Sequence, residues 1–192
     1  METKQVKSIA VGVTGASGAI YAVRTIAALL ERRCQVDVVV SEFGRRLLRD
    51  ELGESATVGV LGAYLRDTYG STVENGTIRI HSNKDVGATI ASGSYTCSGM
   101  VIVPCSMKTL AGVSHGLSRN LVERAADVML KEHRRLVLVP RETPMSLPQL
   151  KNLVLCSEAG AVVLPAMPAF YQRPRTLDDL ADFMAGKILS AL

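Results

Sequence analysis

Three short stretches bring together the residue types that can hold an anion and do chemistry on it. The first, "VTGASGA" at residues 13–19, passes from an apolar run through Gly15, Ala16, Ser17 and Gly18 into a helical pattern. Bare backbone at the mouth of a helix lets a phosphate or a ring approach the exposed N–H groups, and Ser17 adds a hydroxyl there. The second, "PCSMKTL", sets Ser106, Met107, Lys108 and Thr109 at another helix start. Two hydroxyls, a cation and unpaired amides suit a phosphate monoester; simple capping of the helix by Ser106 is the plainer alternative. The third is "LVPRE", where Arg141 and Glu142 follow an apolar run. An Arg fork grips a phosphate while a neighbouring carboxyl gives or takes a proton.

Standard motifs do not describe these stretches. Glycines at 12, 15 and 18 depart from G-x-G-x-x-G, no G-K-[ST] occurs, and Ala19 leaves G-x-S-x-G incomplete. Arg124 and Lys131 return to nearly the same face of one helix, with Asp127 between them, which also reads as an ordinary solvated stripe. Glu51, closing an earlier helix, is equally readable as a base or as a solvent-facing side chain. His81, His115 and His133 share no ligand spacing, and Cys34, Cys97, Cys105 and Cys156 form no C-x-x-C pair. Neither a metal site nor a disulfide framework is expected.

The elements that must position these residues alternate strand with helix, the pattern of a parallel α/β sheet with crossover helices. "SIAVGVTG", "QVDVVVS", "IRIHS", "MVIVPCS", "RLVLVPRE" and "AVVLPAMP" read as strands. Helices are expected over residues 17–32, 42–51, 58–65, from Met107, over "NLVERAADVMLKEH", over 146–158 and from Leu177. Three strands run into a proline, which cannot donate to the ladder, so sheet pairing should stop there. Residues just past the strands share one rim of a parallel sheet, where ligands bind. Thr14, Ser17, Ser41, Ser106, Lys108, Arg141 and Glu142 should gather on it.

Composition narrows the partner. The chain of 192 residues suffices for one domain spanning 1–192. Its net charge of +4 comes with only 4% aromatic residues and no nucleic-acid-binding motif, so a small anion is the expected partner rather than nucleic acid. No apolar run reaches the roughly 18 residues that cross a bilayer, and "METKQVKSIAV" is unlike a secretory leader. No membrane contact and a cytoplasmic location are expected.

Taken with "ASGS", "ERAADVMLKE", "LVPRETP" and "PAFYQRP", these stretches resemble, in order from about Ile9 to Leu189, the flavin prenyltransferases, the UbiX-like family. The resemblance implies a Rossmann-like (flavodoxin-like) three-layer sandwich with a mostly parallel central sheet. It also implies an enzyme that joins a dimethylallyl group from dimethylallyl phosphate to N5 and C6 of reduced FMN. Prenylated FMN would then pass to a UbiD-like decarboxylase, and the enzyme would be a homo-oligomer, commonly a dodecamer. Carried across by position, flavin contacts fall on Gly15, Ala16, Ser17, Ser41, Ser106, Met107, Lys108, Thr109 and Arg124. Contacts to the prenyl phosphate fall on Lys131, Arg141, Glu142, Tyr171 and Lys187. Ser17, Glu51, Glu142 and Lys131 are the expected catalytic residues, Glu142 assisting phosphate departure and Glu51 or a phosphate oxygen taking the ring proton. One departure stands out: members often have tryptophan where this chain has Val86, and it contains no tryptophan at all. Tyr95 is a candidate substitute for that aromatic face. Related FMN-dependent cysteine decarboxylases fit less well, because the first histidine here is His81 and "PCSMKT" replaces their P-A-S-A-N-T loop. A noncatalytic FMN-binding subunit is the alternative from another class.

Overall fold

Short β-branched runs that are apolar on both faces can only be strands covered by helices on each side. The computed structural model, which describes residues 6–192, builds this arrangement. The first five residues, part of the segment read above as unlike a leader, lie outside the described residues. Strands β1 (Ser8–Val13), β2 (Gln35–Val40), β3 (Thr77–His81), β4 (Gly99–Cys105), β5 (Arg135–Pro140) and β6 (Val162–Val163) form one sheet in the order β3-β2-β1-β4-β5-β6. Every pairing is parallel. The order reverses between β1 and β4, so their carboxyl ends flank the crevice of a doubly wound sheet.

Alternation along the strands sorts the side chains into two cores. Val11, Val13, Val36, Val38 and Val101 point to a layer made by α1 (Ala19–Glu31), α2 (Glu42–Leu52), α3 (Leu61–Tyr69) and α7 (Leu177–Ala191). Ala10, Val39, Met100, Ile102, Leu136 and Leu138 point to the opposite layer of α4 (Met107–Ser114), α5 (Leu121–Lys131) and α6 (Leu147–Glu158). The α/β three-layer sandwich is therefore present, with a sheet wholly rather than mostly parallel.

Three local expectations need correction. Pro104 does not end β4: the register slips between Ile102 and Cys105, and pairing resumes at Cys105 with Pro140. The expected strand "AVVLPAMP" shrinks to Val162–Val163, an edge strand, and Pro165 beyond it falls on the unpaired side. Leu164 and Ala166 still donate to the carbonyls of Leu138 and Pro140 at 2.8 and 2.9 Å, continuing the contact without a regular ladder. The helix expected over 58–65 is a 3₁₀ turn, Val58–Val60, followed by α3, whose Leu61 and Leu65 pack one turn apart into the core.

A polar cluster fixes the β2–β3 edge. Alternation sends Asp37 inward beside Val39, where it is fully buried. Ser8 Oγ, Gln35 Nε2 and Tyr95 OH donate to its Oδ2 at 3.1, 3.1 and 2.8 Å, and His81 Nε2 lies 2.8 Å from Oδ1. Burial pushes the Asp37 carboxyl up, but hydrogen bonds from His81, Gln35, Tyr95 and Ser8 outweigh it and hold the group below the ordinary carboxylate range. A depressed pKa contributes stability that is complete above the unfolded value of 3.8 and is lost as pH falls through the folded one. Urea unfolding at pH 7, 4 and 3 should therefore show a steeper acid loss in the native protein than in Asp37→Asn. The variant should also be weaker at pH 7 by about 2 kcal/mol, since four donors lose an ionised acceptor.

Candidate active site

At the switch point the loops after four strands enclose a cleft of about 390 Å³. Gly15 comes from the β1–α1 loop, Ser41 from the start of α2, Asn83 from the segment after β3, and Ser106, Lys108 and Thr109 from the start of α4. Glu42, Phe43, Asn120 and Glu123 complete the wall. Gly15 is required by contact: a Cβ there would stand 2.4 Å from Phe43 Cβ. The two principal glycine- and serine-bearing stretches thus meet, as the rim argument requires.

The joint between them is Thr14, which is buried. Its N–H and its hydroxyl both donate to the Pro104 carbonyl, at 3.2 and 2.8 Å, while the Ser106 amide donates to its Oγ1 at 2.7 Å. Thr14 is therefore a strut within the rim, with its polar atoms already used, and not a ligand group.

Helix starts around the cleft differ in what they leave free. The first amides of any helix lack a partner inside it. At α1 that deficit is filled internally: Glu51 accepts from Gly18 N–H at 3.0 Å and from Ala19 N–H at 2.7 Å. The amides read above as an anion site are thus claimed by a side chain distant in sequence. At α5, Asn83 accepts from Leu121 and Val122 through its carbonyl and side chain. At α4, Ser106 Oγ caps Thr109 N–H at 3.3 Å and bonds the Thr109 hydroxyl at 3.0 Å. No acceptor among the described residues takes the amides of Met107 and Lys108. With the Lys108 ammonium alongside, α4 is where an anion gains most. Capping and ligand binding are therefore both open to Ser106.

Five residues of the wall, Glu42, Phe43, Asn83, Asn120 and Glu123, were not anticipated from sequence. Glu123 is buried and held by the Arg119 amide and guanidinium at 3.0 to 3.2 Å, so its charge is neutralised from behind. Asn120 caps α5 by accepting from Glu123 N–H at 3.1 Å. The N-x-x-E pattern of a helix start was the available signal for both.

The remaining expected residues are distributed over the fold. Ala16 is buried and Ser17 exposed, both in the loop that carries Gly15. Met107 sends its side chain into the core and offers only backbone. Arg124 lies one turn into α5 and pairs with Asp127 at 2.9 Å, so its guanidinium is not part of the cleft wall. Arg141 and Glu142 follow β5; the Arg141 amide reaches the Cys105 carbonyl at 3.4 Å, which keeps them beside Ser106. Burial raises the Tyr21 phenol above its ordinary value and the Arg141 charge nearby opposes this. Lys131, by contrast, ends α5 just before β5 begins at Arg135, so it sits at the amino edge of the sheet, paired with Glu132 at 3.2 Å. Tyr171 and Lys187 share a separate cavity of about 770 Å³ beside α7. Tyr95, the candidate substitute for the missing tryptophan, does not line the cleft: its hydroxyl is held by Ser8 at the amino start of β1 and by Asp37.

Comparison with known proteins follows the same lines. A family model described as Flavoprotein matches residues 1–188. Flavin prenyltransferase UbiX of Alkalihalophilus pseudofirmus is 46% identical over 186 residues, covering 97% of this chain and 91% of that one. Flavin prenyltransferase LpdB of Lactiplantibacillus plantarum is 44% identical, covering 96% and 92%. The chain belongs to the flavin prenyltransferase family. Among solved structures, AnUbiX (PadA1) in complex with FMN and dimethylallyl pyrophosphate superposes with a TM-score of 0.86 at 36% identity, covering 97% of this chain and 92% of that one. A dodecameric FMN-dependent UbiX-like decarboxylase of Escherichia coli O157:H7 gives 0.83 at 40% identity, covering 95% and 93%. A PPC decarboxylase shares only 16% identity at a TM-score of 0.59, covering 85% and 84%, a likeness of fold alone.

Glu51 is committed to the start of α1 and is not part of the cleft wall. Glu51→Ala leaves the amides of Gly18 and Ala19 without their acceptor and should cost about 1 kcal/mol of stability in chemical denaturation. Glu51→Gln keeps one acceptor oxygen and should lose less.

Proposed function

We propose that this chain, acting as one flavoprotein domain over residues 1–192, transfers the dimethylallyl group of dimethylallyl phosphate to N5 and C6 of reduced FMN. The observation that carries the reading is the α4 start, with two unclaimed amides, two hydroxyls and Lys108 facing a cleft at the switch point. FMN suits that donor set. Ser106, Lys108, Thr109 and the amides of Met107 and Lys108 hold its phosphate, Gly15, Ala16 and Ser17 admit it close to the backbone, and Ser41 flanks it, while Arg124 would reach it only by leaving Asp127. Reduced FMN supplies the nucleophilic positions that accept the five-carbon unit.

The chain's own groups handle the leaving phosphate. Lys131, Arg141, Tyr171 and Lys187 stabilise the negative charge that grows as the allylic C–O bond breaks, in a site closed to water. Glu142, beside Arg141, delivers a proton to that phosphate, and Ser17 orients the reacting edge of the flavin. Since both oxygens of Glu51 are engaged by the amides of Gly18 and Ala19, a phosphate oxygen rather than Glu51 takes up the ring proton.

One chain cannot assemble this set. Lys131 stands at the amino edge, Arg141 and Glu142 at the carboxyl rim, and Tyr171 and Lys187 in the α7 cavity. A homo-oligomer, a dodecamer in this reading, unites them by placing one copy's α7 cavity or α5 end against another's rim. Met167, Phe170, Leu147 and Val154, exposed by 68, 73, 64 and 56%, supply apolar surface for such contacts. The product, prenylated FMN, passes to a UbiD-like decarboxylase. No helix among the described residues is long and apolar enough to cross a membrane, which suits a cytoplasmic protein that needs neither membrane nor nucleic acid.

Val86, half-exposed where the family often has tryptophan, favours a second reading as an FMN-binding subunit without catalysis. Anaerobic incubation with reduced FMN and dimethylallyl phosphate, followed by mass spectrometry, should reveal a C5 adduct of the flavin. FMN bound without adduct would support the second reading instead. Glu142→Gln should retain FMN and slow adduct formation ~100-fold; an unchanged rate would remove Glu142 from the reaction.

A further inference from the structure

The start of α4 accounts for the phosphate end of the cleft, and the wall supplied by α2 has a different character. Phe43 lies in the first turn of α2 and lines the cleft with Gly15 and Ser41. It is the sole aromatic side chain among the described residues of that wall, and it is 62% exposed. No aromatic or cationic side chain among the described residues pairs with its ring. Such a ring leaves a large apolar face in water, which a flat ligand would cover. Val86 has no ring to offer, and Tyr95 is bound to Ser8 and Asp37 away from the cleft.

The chain fixes this residue at its root. α2 turns Gly44 and Leu48, one helical turn apart, toward the core. A Cβ on Gly44 would stand 2.4 Å from the Val13 carbonyl oxygen, so the start of α2 is pressed against the end of β1. Ser41 ties the same joint: its N–H donates to the Val13 carbonyl at 2.9 Å, and its Oγ accepts from the Gly44 N–H at 3.0 Å. With Gly44 turned inward, the preceding residue is rotated about 100° around the helix, away from the core. The Phe43 Cβ meets the bare Gly15 backbone, where a Cβ would approach it to 2.4 Å. The ring therefore has no route into the core and stays at the cleft.

We propose that Phe43 is the ring-binding residue of the cleft: with the FMN phosphate at the start of α4, the isoalloxazine lies against the Phe43 face. This rests on the reading of α4 as the phosphate site. Packing a flat conjugated ring on a phenyl face gains dispersion and removes apolar area from water on both partners. The charged end at α4 sets where the phosphate binds, and Phe43 requires that the phosphate carry a flat ring. Gly15 belongs to the same device, since a side chain there would push Phe43 aside.

Calorimetric titration with oxidised FMN tests the contact without turnover. Phe43→Ala keeps the Cβ that packs on Gly15 and removes only the ring, so the fold should survive. The Ala variant should bind FMN about tenfold more weakly, while Phe43→Tyr should stay within about twofold of the native protein. An Ala variant that binds FMN as the native protein does overturns the proposal. The chain has no tryptophan, so Phe43→Trp places its single indole at the cleft. An indole in contact with a flavin quenches its emission by electron transfer, and the fluorescence lifetime of bound FMN should fall well below that of the native complex. An unchanged lifetime overturns the contact. Light scattering on the same samples should show one assembly mass throughout. A weaker-binding Ala variant of reduced mass makes Phe43 a contact between copies and overturns its role at the ring. Absence of FMN binding in the native protein removes the α4 reading itself, and the proposal with it.

Discussion

The Thr14–Pro104–Ser106 joint is the constraint on which the cleft depends. In a doubly wound sheet the two loops at the switch point diverge, one helix packing on each face. Nothing in the ladder beyond Gly12 and Ile102 holds β1 to β4. Pro104 offers no N–H, so regular pairing fails just where the loops begin. Its free carbonyl instead takes both donors of Thr14, and the Thr14 hydroxyl takes the Ser106 amide. Three hydrogen bonds therefore set the distance between the bare Gly15 backbone and the start of α4. The threonine hydroxyl is needed because it can donate and accept at once.

That joint leaves the fold to divide a limited supply of acceptors among its helix starts. Glu51 and Asn83 satisfy α1 and α5, while α4 keeps two amides unclaimed beside Ser106 and Thr109. The consequence is selectivity of place. An incoming phosphate at α1 would have to displace a carboxylate, whereas at α4 it meets a positive helix end and a lysine. Glu123, an acid in the same wall, is paired with Arg119 and so repels an anion less than an unpaired carboxylate would.

Much of this was legible in the sequence, and the reasons for the rest are physical. β-branched alternation placed the strands, and their carboxyl ends implied which residues share a rim; Gly15, Ser41, Ser106, Lys108 and Thr109 do line one cleft. Helical periodicity correctly put Arg124 and Lys131 on a common face but says nothing about height. Seven residues advance about 10 Å along a helix, enough to carry Lys131 from the neighbourhood of the rim toward the opposite edge. Glu51 was ambiguous because its partners lie 32 and 33 residues away, a contact that only the packing of α2 beside α1 creates. The Asp37 cluster was invisible for a similar reason: an aspartate inside "QVDVVV" is tolerable only if Ser8, Gln35, His81 and Tyr95 converge on it.

Under the proposed function, the separation of cations between the rim and the α7 cavity would make assembly part of the chemistry. Were Lys131, Arg141 and Lys187 all clustered in one chain, the isolated protomer would bear their mutual repulsion with no substrate to offset it. Spread over distant parts of the fold, they cost little until copies meet, and the charge concentrates only where a phosphate is to be held. In that assembly apolar side chains such as Met167 and Phe170, close in sequence to Tyr171, would supply the contact free energy that brings the charges together. In the proposed assembly, a tyrosine 76% exposed in the single chain would be covered by another copy and could belong to a buried site.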